Sequence, residues 1–482
     1  MGVRHRIRRL ILGAIAALAF GLSFAPAANA YTAGTSSDFF GVNASYLRQL
    51  AFPDQPDLVS RMDAITTSMG QSGISWARLT FDQSVEERDR GVFDWTVPDM
   101  VVGLLARHGV RTEADFVGTA SWADEPGTTF ALNNCRTRAY PWDYQAWTDW
   151  TAAAARRYGP NGTFWAAHPE LPYLPITTWE IGNEPNLSIF WCPKANPEAY
   201  GLVYGTALDK ILAVDPNAKV MVGGLAPNWG TPRTQDVDAD EFMARMVAAD
   251  PSLRTRIPAV GVHPYTRTSD GLDGILDMIV RFRQTLTEAG MPTTPMVANE
   301  YGWYTQPLSG LYFATEDQRA ALIGGTANSF WRTNCGVTGM APYAWISAEI
   351  NRNDPENWYG LASTWTGVPH PSGTAYAQQI QLALGQASTP PPTGTLALCP
   401  DLTGGSGGTG GTGGTGGTGG SGGGGSPSPS PGPLQLPLPL PIAGTSSQQS
   451  GLGTGGATVG SKKKCRSRKH RRCHHHRRRH HH

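Results

Sequence analysis

The chain has 482 residues, of which 40% are hydrophobic and 16% charged, and its 39 basic and 38 acidic residues leave a net charge of +1. That total hides three regimes. Four basic residues lie in the first 30 positions and eleven in the last 22, with no acids in either, so 24 basic residues face 38 acidic ones from position 31 to 460. An acidic body with a basic tail argues against a nucleic-acid partner for the body, which would need a basic face of its own.

Residues 1–30 read as a secretory signal. Arg4, Arg6, Arg8 and Arg9 form a basic start, Leu10 to Phe24 an apolar run, and Ala28-Asn29-Ala30 a small-residue cleavage site. The run is short of the ~20 apolar residues that span a bilayer, so the expectation is export with cleavage. Apolar segments then recur through the body at fairly regular intervals. Strands are expected at Phe39–Asn43, Ile74–Leu79, Val110–Val117, Ile176–Ile181, Lys219–Gly223, Ala259–His263, Pro295–Ala298 and Gly339–Trp345. Between them lie segments with helical apolar spacing, such as Met100–Arg107 and Gln318–Phe330. Eight strands alternating with helices predict an α/β fold, a (β/α)8 TIM barrel over residues 31–400, with an extra loop at 120–140. A doubly wound open sheet is the alternative, but no Gly-rich phosphate loop follows the first strand.

Two of these strands end on polar side chains that a core would have to satisfy. Ile176–Ile181 runs into Gly182-Asn183-Glu184-Pro185, and Pro295–Ala298 into Asn299-Glu300-Tyr301. Barrel enzymes carry their chemistry at the C-terminal ends of strands, and a pair of carboxyl groups there is what glycoside hydrolysis requires. Other strand ends expected to be chemical carry Arg78, Trp122, His263, Tyr265 and Trp345. Glu180, four residues before Glu184, is expected to point into the barrel and pair with a buried donor.

Trp179-Glu-Ile-Gly-Asn-Glu-Pro-Asn186, His263-Pro-Tyr265, Asn299-Glu-Tyr301 and Trp345 resemble the large clan of retaining (β/α)8 glycosidases. Trp76-Ala-Arg-Leu-Thr-Phe-Asp82 followed by Val92-Phe-Asp-Trp95 is most similar to glycoside hydrolase families 39 and 5, over residues ~38–385. The resemblance implies Glu184 as acid/base and Glu300 as nucleophile. It implies that Asn183 binds the sugar 2-hydroxyl, Arg78 keeps Glu300 ionised, Tyr265 donates to Glu300 and His263 orients the site. It makes Trp345 the platform under the sugar, while Trp122 and Trp303 sit at strand ends where an indole face can stack on a sugar ring. Strand three ends in Ser121-Trp122 where many family 5 members carry histidine, and Asn299 stands where Thr or Gly is frequent. Loop residues Trp191, Trp229 and Trp358 are further candidates for sugar contacts. The function expected is a retaining β-glycosidase acting on a poly- or oligosaccharide, working as a monomer with no cofactor and no metal. A transglycosidase with the same site and a non-catalytic carbohydrate-binding barrel are the competing readings.

Six cysteines in an exported chain suggest disulfides. In a barrel, Cys135 and Cys192 would fall on neighbouring loops of the C-terminal face and Cys335 and Cys399 near the opposite face, so those two pairs are expected. Residues 401–426 form a Gly/Thr/Ser linker and 427–460 a Pro-rich and polar spacer. Residues 461–482 are Lys, Arg and His with little else, and cannot build a core. They are expected to be disordered and to contact an anionic cell envelope, keeping the secreted protein at the cell surface.

Overall fold

The computed structural model describes residues 36–50, 57–123, 141–229, 235–387 and 395–400. The signal, the linker, the spacer and the basic tail lie outside the described residues, as does most of the loop at 120–140. Eight parallel strands hydrogen-bond in sequence order: β1 (Gly41–Asn43), β2 (Trp76–Asp82), β3 (Arg111–Val117), β4 (Thr178–Ile181), β5 (Lys219–Leu225), β6 (Val260–Val262), β7 (Met296–Ala298) and β8 (Val337–Met340). A bridge from Phe40 to Met340 brings the first strand beside the last. The fold is the α/β barrel expected.

One long helix follows each strand: α1 (Leu58–Gln71), α2 (Thr96–Arg107), α3 (Tyr144–Tyr158), α4 (Pro197–Leu212), α5 (Ala239–Ala249), α6 (Gly271–Glu288), α7 (Glu316–Arg332) and α8 (Pro371–Ala383). Local chemistry starts several of them. Asp143 and Asn196 accept from backbone N–H groups at the starts of α3 and α4. Pro197 occupies the first turn of α4, where its missing N–H is harmless. Thr315 and Gln318 form a reciprocal capping box on α7. The helices bury their apolar faces on the outside of the strands, in one continuous core that includes Phe81, Phe116, Trp150, Trp179, Tyr200 and Phe330. Among the described residues no helix is long and apolar enough to cross a membrane.

Two expected strands change their bounds in ways that matter for the site. β2 continues to Asp82, so Arg78 is an interior residue of the strand rather than its end. β8 begins at Val337 and stops at Met340, five residues before Trp345. Cys335 and Cys399 are disulfide-bonded with their Cα atoms 5.1 Å apart, the pair expected. The partner expected for Cys192, Cys135, lies outside the described residues.

Candidate active site

The floor of the site is an arginine. Arg78 on β2 is buried in the barrel interior, and its donors fan across four neighbours. Nε and Nη2 bond Glu180 on β4 at 2.6 and 3.1 Å, Nη2 also reaches Asn183 Oδ1 at 3.0 Å, and Nη1 reaches Glu300 at 3.1 Å. Asp115 on β3 lies 3.3 Å from Nη2. Strand register makes this possible. Thr80 pairs with Asp115 and Asp115 with Glu180, so inward side chains of β2, β3 and β4 meet at nearly one level. A guanidinium suits this because it is planar, stays charged, and offers five donors in fixed directions. Glu180 therefore sits where the sequence suggested, against a buried donor.

Glu184 is carried just past β4 on a distorted turn. Gly182 and Glu184 both have positive φ, +80° and +43°. For glutamate that conformation costs about 1–3 kcal/mol and persists only where neighbours impose it. Here the Glu184 N–H donates to the carbonyl of Gly224 on β5 at 2.9 Å. The side chain meets His263, whose Nδ1 is 2.9 Å from Glu184 Oε1. Burial drives the His263 ring down to about 4, so it is neutral at neutral pH and orients Glu184 without adding charge.

Gly224 links these parts. Its N–H donates to Glu180 at 2.7 Å, and a Cβ on it would lie 1.9 Å from His263 Nε2. Gly224→Ala must push the imidazole off Glu184. The expected result is a folded protein weakened by about 1–3 kcal/mol, with kcat/KM lowered on the order of 100-fold by misplacement of one carboxyl. Thermal melts and kinetics of this variant check it; unchanged kcat/KM would mean the His263 contact does not matter.

Glu300, two residues past β7, faces Glu184 across the mouth. A carboxyl oxygen of each and a ring nitrogen of His263 all lie within 4.8 Å of one another. Such a cluster is tight enough for a cation, but Arg78 already contacts the Glu300 oxygen, and its charge opposes a metal there. The Tyr265 hydroxyl donates to the other Glu300 oxygen at 2.9 Å. Burial raises Glu300 above the usual carboxylate range, opposed by the Arg78 guanidinium and the Tyr265 hydroxyl, with Glu184 adding to the rise. Arg78 acts on Glu300 in the direction expected from the sequence, with burial opposing it.

A cleft opens on the Glu300 side, with Arg78, Asn183 and Glu300 in its wall. Asn183 Nδ2 is buried there with no hydrogen-bond partner, a donor free for a hydroxyl. Sequence reading missed Tyr343 and Glu356, which share this wall, with the Tyr343 hydroxyl 3.1 Å from Glu356. The signal for Tyr343 was its place three residues past β8, hidden because Met340–Trp345 reads as unbroken strand.

The tryptophans require correction. Trp345 is fully buried, and its indole N–H donates to Ser68 on α1, so it faces the helices rather than a sugar. Trp303 is also buried, bonded to the carbonyl of Thr266. Trp122 stands five residues past the end of β3, bonded to the Glu87 carbonyl, with Arg90 packed over its ring. Of the loop candidates, Trp191 packs edge-on against Tyr200, Trp229 is buried beneath Arg281, and Trp358 donates to the Asn351 carbonyl. The aromatic side chains that share the cleft wall with Glu300 are Tyr46, Phe190 and Tyr343, and the Tyr265 hydroxyl reaches Glu300 itself.

No family model matches the chain, and no curated protein matches it. Its structural neighbours include glycoside hydrolases of families 39 and 5. The GH39 enzyme from Xanthomonas axonopodis pv. citri is 18% identical with a TM-score of 0.51, over 72% of this chain and 66% of that one. The chain thus spans just under two thirds of that enzyme. GH5_18 from Streptomyces cattleya, solved in complex with GlcNAc, is 15% identical with a TM-score of 0.52, over 74% of this chain and 82% of that one. A glucosidase from Croceicoccus marinus is 12% identical with a TM-score of 0.51, over 73% and 69%. At such identities the likeness is one of fold.

Proposed function

We propose that this chain is a secreted retaining β-glycosidase, acting on a poly- or oligosaccharide by double displacement. The observation that carries the reading is the pair Glu184 and Glu300, oxygens within 4.8 Å, at the ends of β4 and β7. Retaining pairs stand ~5–5.5 Å apart, whereas inverting pairs stand ~6.5–9.5 Å apart to admit a water. In the first step a Glu300 oxygen bonds the anomeric carbon as the glycosidic C–O bond breaks, and the departing oxygen takes a proton from Glu184. In the second, water attacks that carbon, gives its proton to Glu184, and frees Glu300.

The surroundings fit these roles. Arg78 and Tyr265 place two donors on Glu300, favouring its ionised form against the burial that opposes it. Asn183 Nδ2 is free to meet a 2-hydroxyl on the same sugar. A non-catalytic binding barrel would have no use for a strained glutamate held against a second buried carboxyl. The glycoside hydrolase fold of the neighbours points the same way. Export rests on the signal at residues 1–30, and surface retention on the charge of residues 461–482.

A screen of aryl β-glycosides and soluble polysaccharides with wild type and Glu300→Gln tests the reading. At least one substrate is expected to turn over with wild type and none with the variant. Equal turnover by both would contradict it.

A further inference from the structure

Five carboxyl groups, Glu113, Asp115, Glu180, Glu184 and Glu300, are buried in the barrel interior and its mouth. Arg78 touches three of them, and its donors are divided unequally. Glu180 receives three: Nε at 2.6 Å, Nη2 at 3.1 Å and the Gly224 N–H at 2.7 Å. Glu300 receives Nη1 and the Tyr265 hydroxyl. Asp115 is left with Nη2 at 3.3 Å, the same nitrogen that serves Glu180 and Asn183.

The remaining neighbour of Asp115 is Thr80 Oγ1, 3.4 Å from Oδ2. The Thr80 hydroxyl also lies 2.8 Å from Ser45 Oγ; either hydroxyl can donate to the other, so Thr80 either gives Asp115 one long hydrogen bond or passes its proton to Ser45 and accepts from Asp115. Asp115 Oδ1 is buried with no hydrogen-bond partner. An ionised carboxylate in this position is short of donors. A protonated one supplies its own, directed at Thr80.

We propose that Asp115 is a neutral carboxylic acid in the working enzyme and acts as a positioning residue. Because it does not compete for Arg78, the guanidinium is left to Glu300, which stays ionised. The inference rests on the reading of Glu300 as nucleophile.

The groups facing Asp115 are Arg78 and Thr80 from β2, Glu180 from β4, Glu300 from across the mouth, and Glu113 on its own strand. Burial pushes the Asp115 carboxyl well above the ordinary range, Arg78 opposing and Glu180 and Glu300 reinforcing. Glu113 is raised as well, first by burial and then by Glu180. With a folded value above the unfolded one, native Asp115 holds a proton that the unfolded chain has released. Its contribution to stability therefore falls as pH rises from the ordinary aspartate value to the raised one. Asparagine has no such dependence, so the melting temperature of Asp115→Asn relative to wild type should climb across that interval.

The direct test is 13C NMR of the full chain carrying label in the aspartate carboxyl carbons, with Asp115→Asn assigning the resonance. Wild type is expected to show a neutral aspartic acid at neutral pH that ionises only in the alkaline range. The acid limb of the Asp115→Asn pH profile is expected to lie where it does in wild type, because a neutral amide replaces a neutral acid beside Arg78. A carboxylate resonance at neutral pH overturns the proposal. So does an acid limb lowered by roughly one pH unit, the sign that an anion competing for Arg78 has been removed. Should the variant not fold, the wild-type titration decides alone, since surface aspartates are ionised well below neutral pH. Covalent labelling by a 2-fluoro glycoside on a residue other than Glu300 would overturn the link to the nucleophile, a failure separate from that of the Asp115 titration.

Discussion

Glu184→Ala is expected to sort substrates by their leaving groups. The departing oxygen of an ordinary glycoside needs a proton as its bond breaks, and general acid catalysis contributes about 10²–10⁴-fold. For such substrates kcat/KM should fall by that factor. A nitrophenolate leaves without protonation, so its release from the variant should be spared in the first step. The second step needs Glu184 again, as the base that deprotonates water, and should stall, giving a burst followed by slow turnover. Glu300→Ala has no such selectivity, because both steps pass through its carboxyl, and activity on every substrate should vanish. Equal losses for good and poor leaving groups in Glu184→Ala would remove Glu184 from the acid role.

Arg78→Met should be the most destabilising single change in the barrel. The methionine fills much of the same space but leaves Glu180 and Glu300 without their buried cation. Removing one partner of a buried ion pair costs about 3–5 kcal/mol, and here two carboxylates lose theirs. The pH dependence has a definite sign. Glu300 is already raised by burial, with Arg78 opposing. Without Arg78 it rises further, so the acid limb of any remaining activity moves to higher pH. At acid pH the carboxyls take up protons and need no cation. The deficit in melting temperature relative to wild type should therefore be smallest there and grow as pH rises. A deficit independent of pH would mean that packing, not charge, is what Arg78 supplies.

The barrel was legible because its strands are short apolar runs at steady spacing, broken by helices with clear starts such as Thr315 to Gln318. The mouth was legible where polar residues end apolar strands. Asn183-Glu184, Glu300 and Tyr265 stand together in the structure for that reason. Side-chain direction was less legible. Trp345 and Trp303 follow β8 and β7 closely, yet a chain that has left its strand no longer alternates in and out, and both are buried, Trp345 against Ser68 on α1 and Trp303 against the Thr266 carbonyl.

The interior acids are a different case. Glu113 and Asp115 sit two apart in Arg111–Val117, a period-2 pattern that places both on one face of β3. The pattern was present in the sequence, but two carboxyls inside a barrel look unfavourable until Arg78 is seen beside them. Glu356 gave no signal, because it lies in the loop that follows β8 and reaches the cleft only through the fold. The disulfide from Cys335 to Cys399 was open to topological argument, since one cysteine precedes β8 and the other follows α8.

Proton NMR of the first sugar released from a β-glycoside tests the central claim most directly. Two displacements at one carbon restore its configuration, so the β anomer should appear first and the α anomer only afterwards by mutarotation. An α anomer as the first product would mean a single displacement by water, and would contradict the pairing of Glu300 as nucleophile with Glu184 as acid/base.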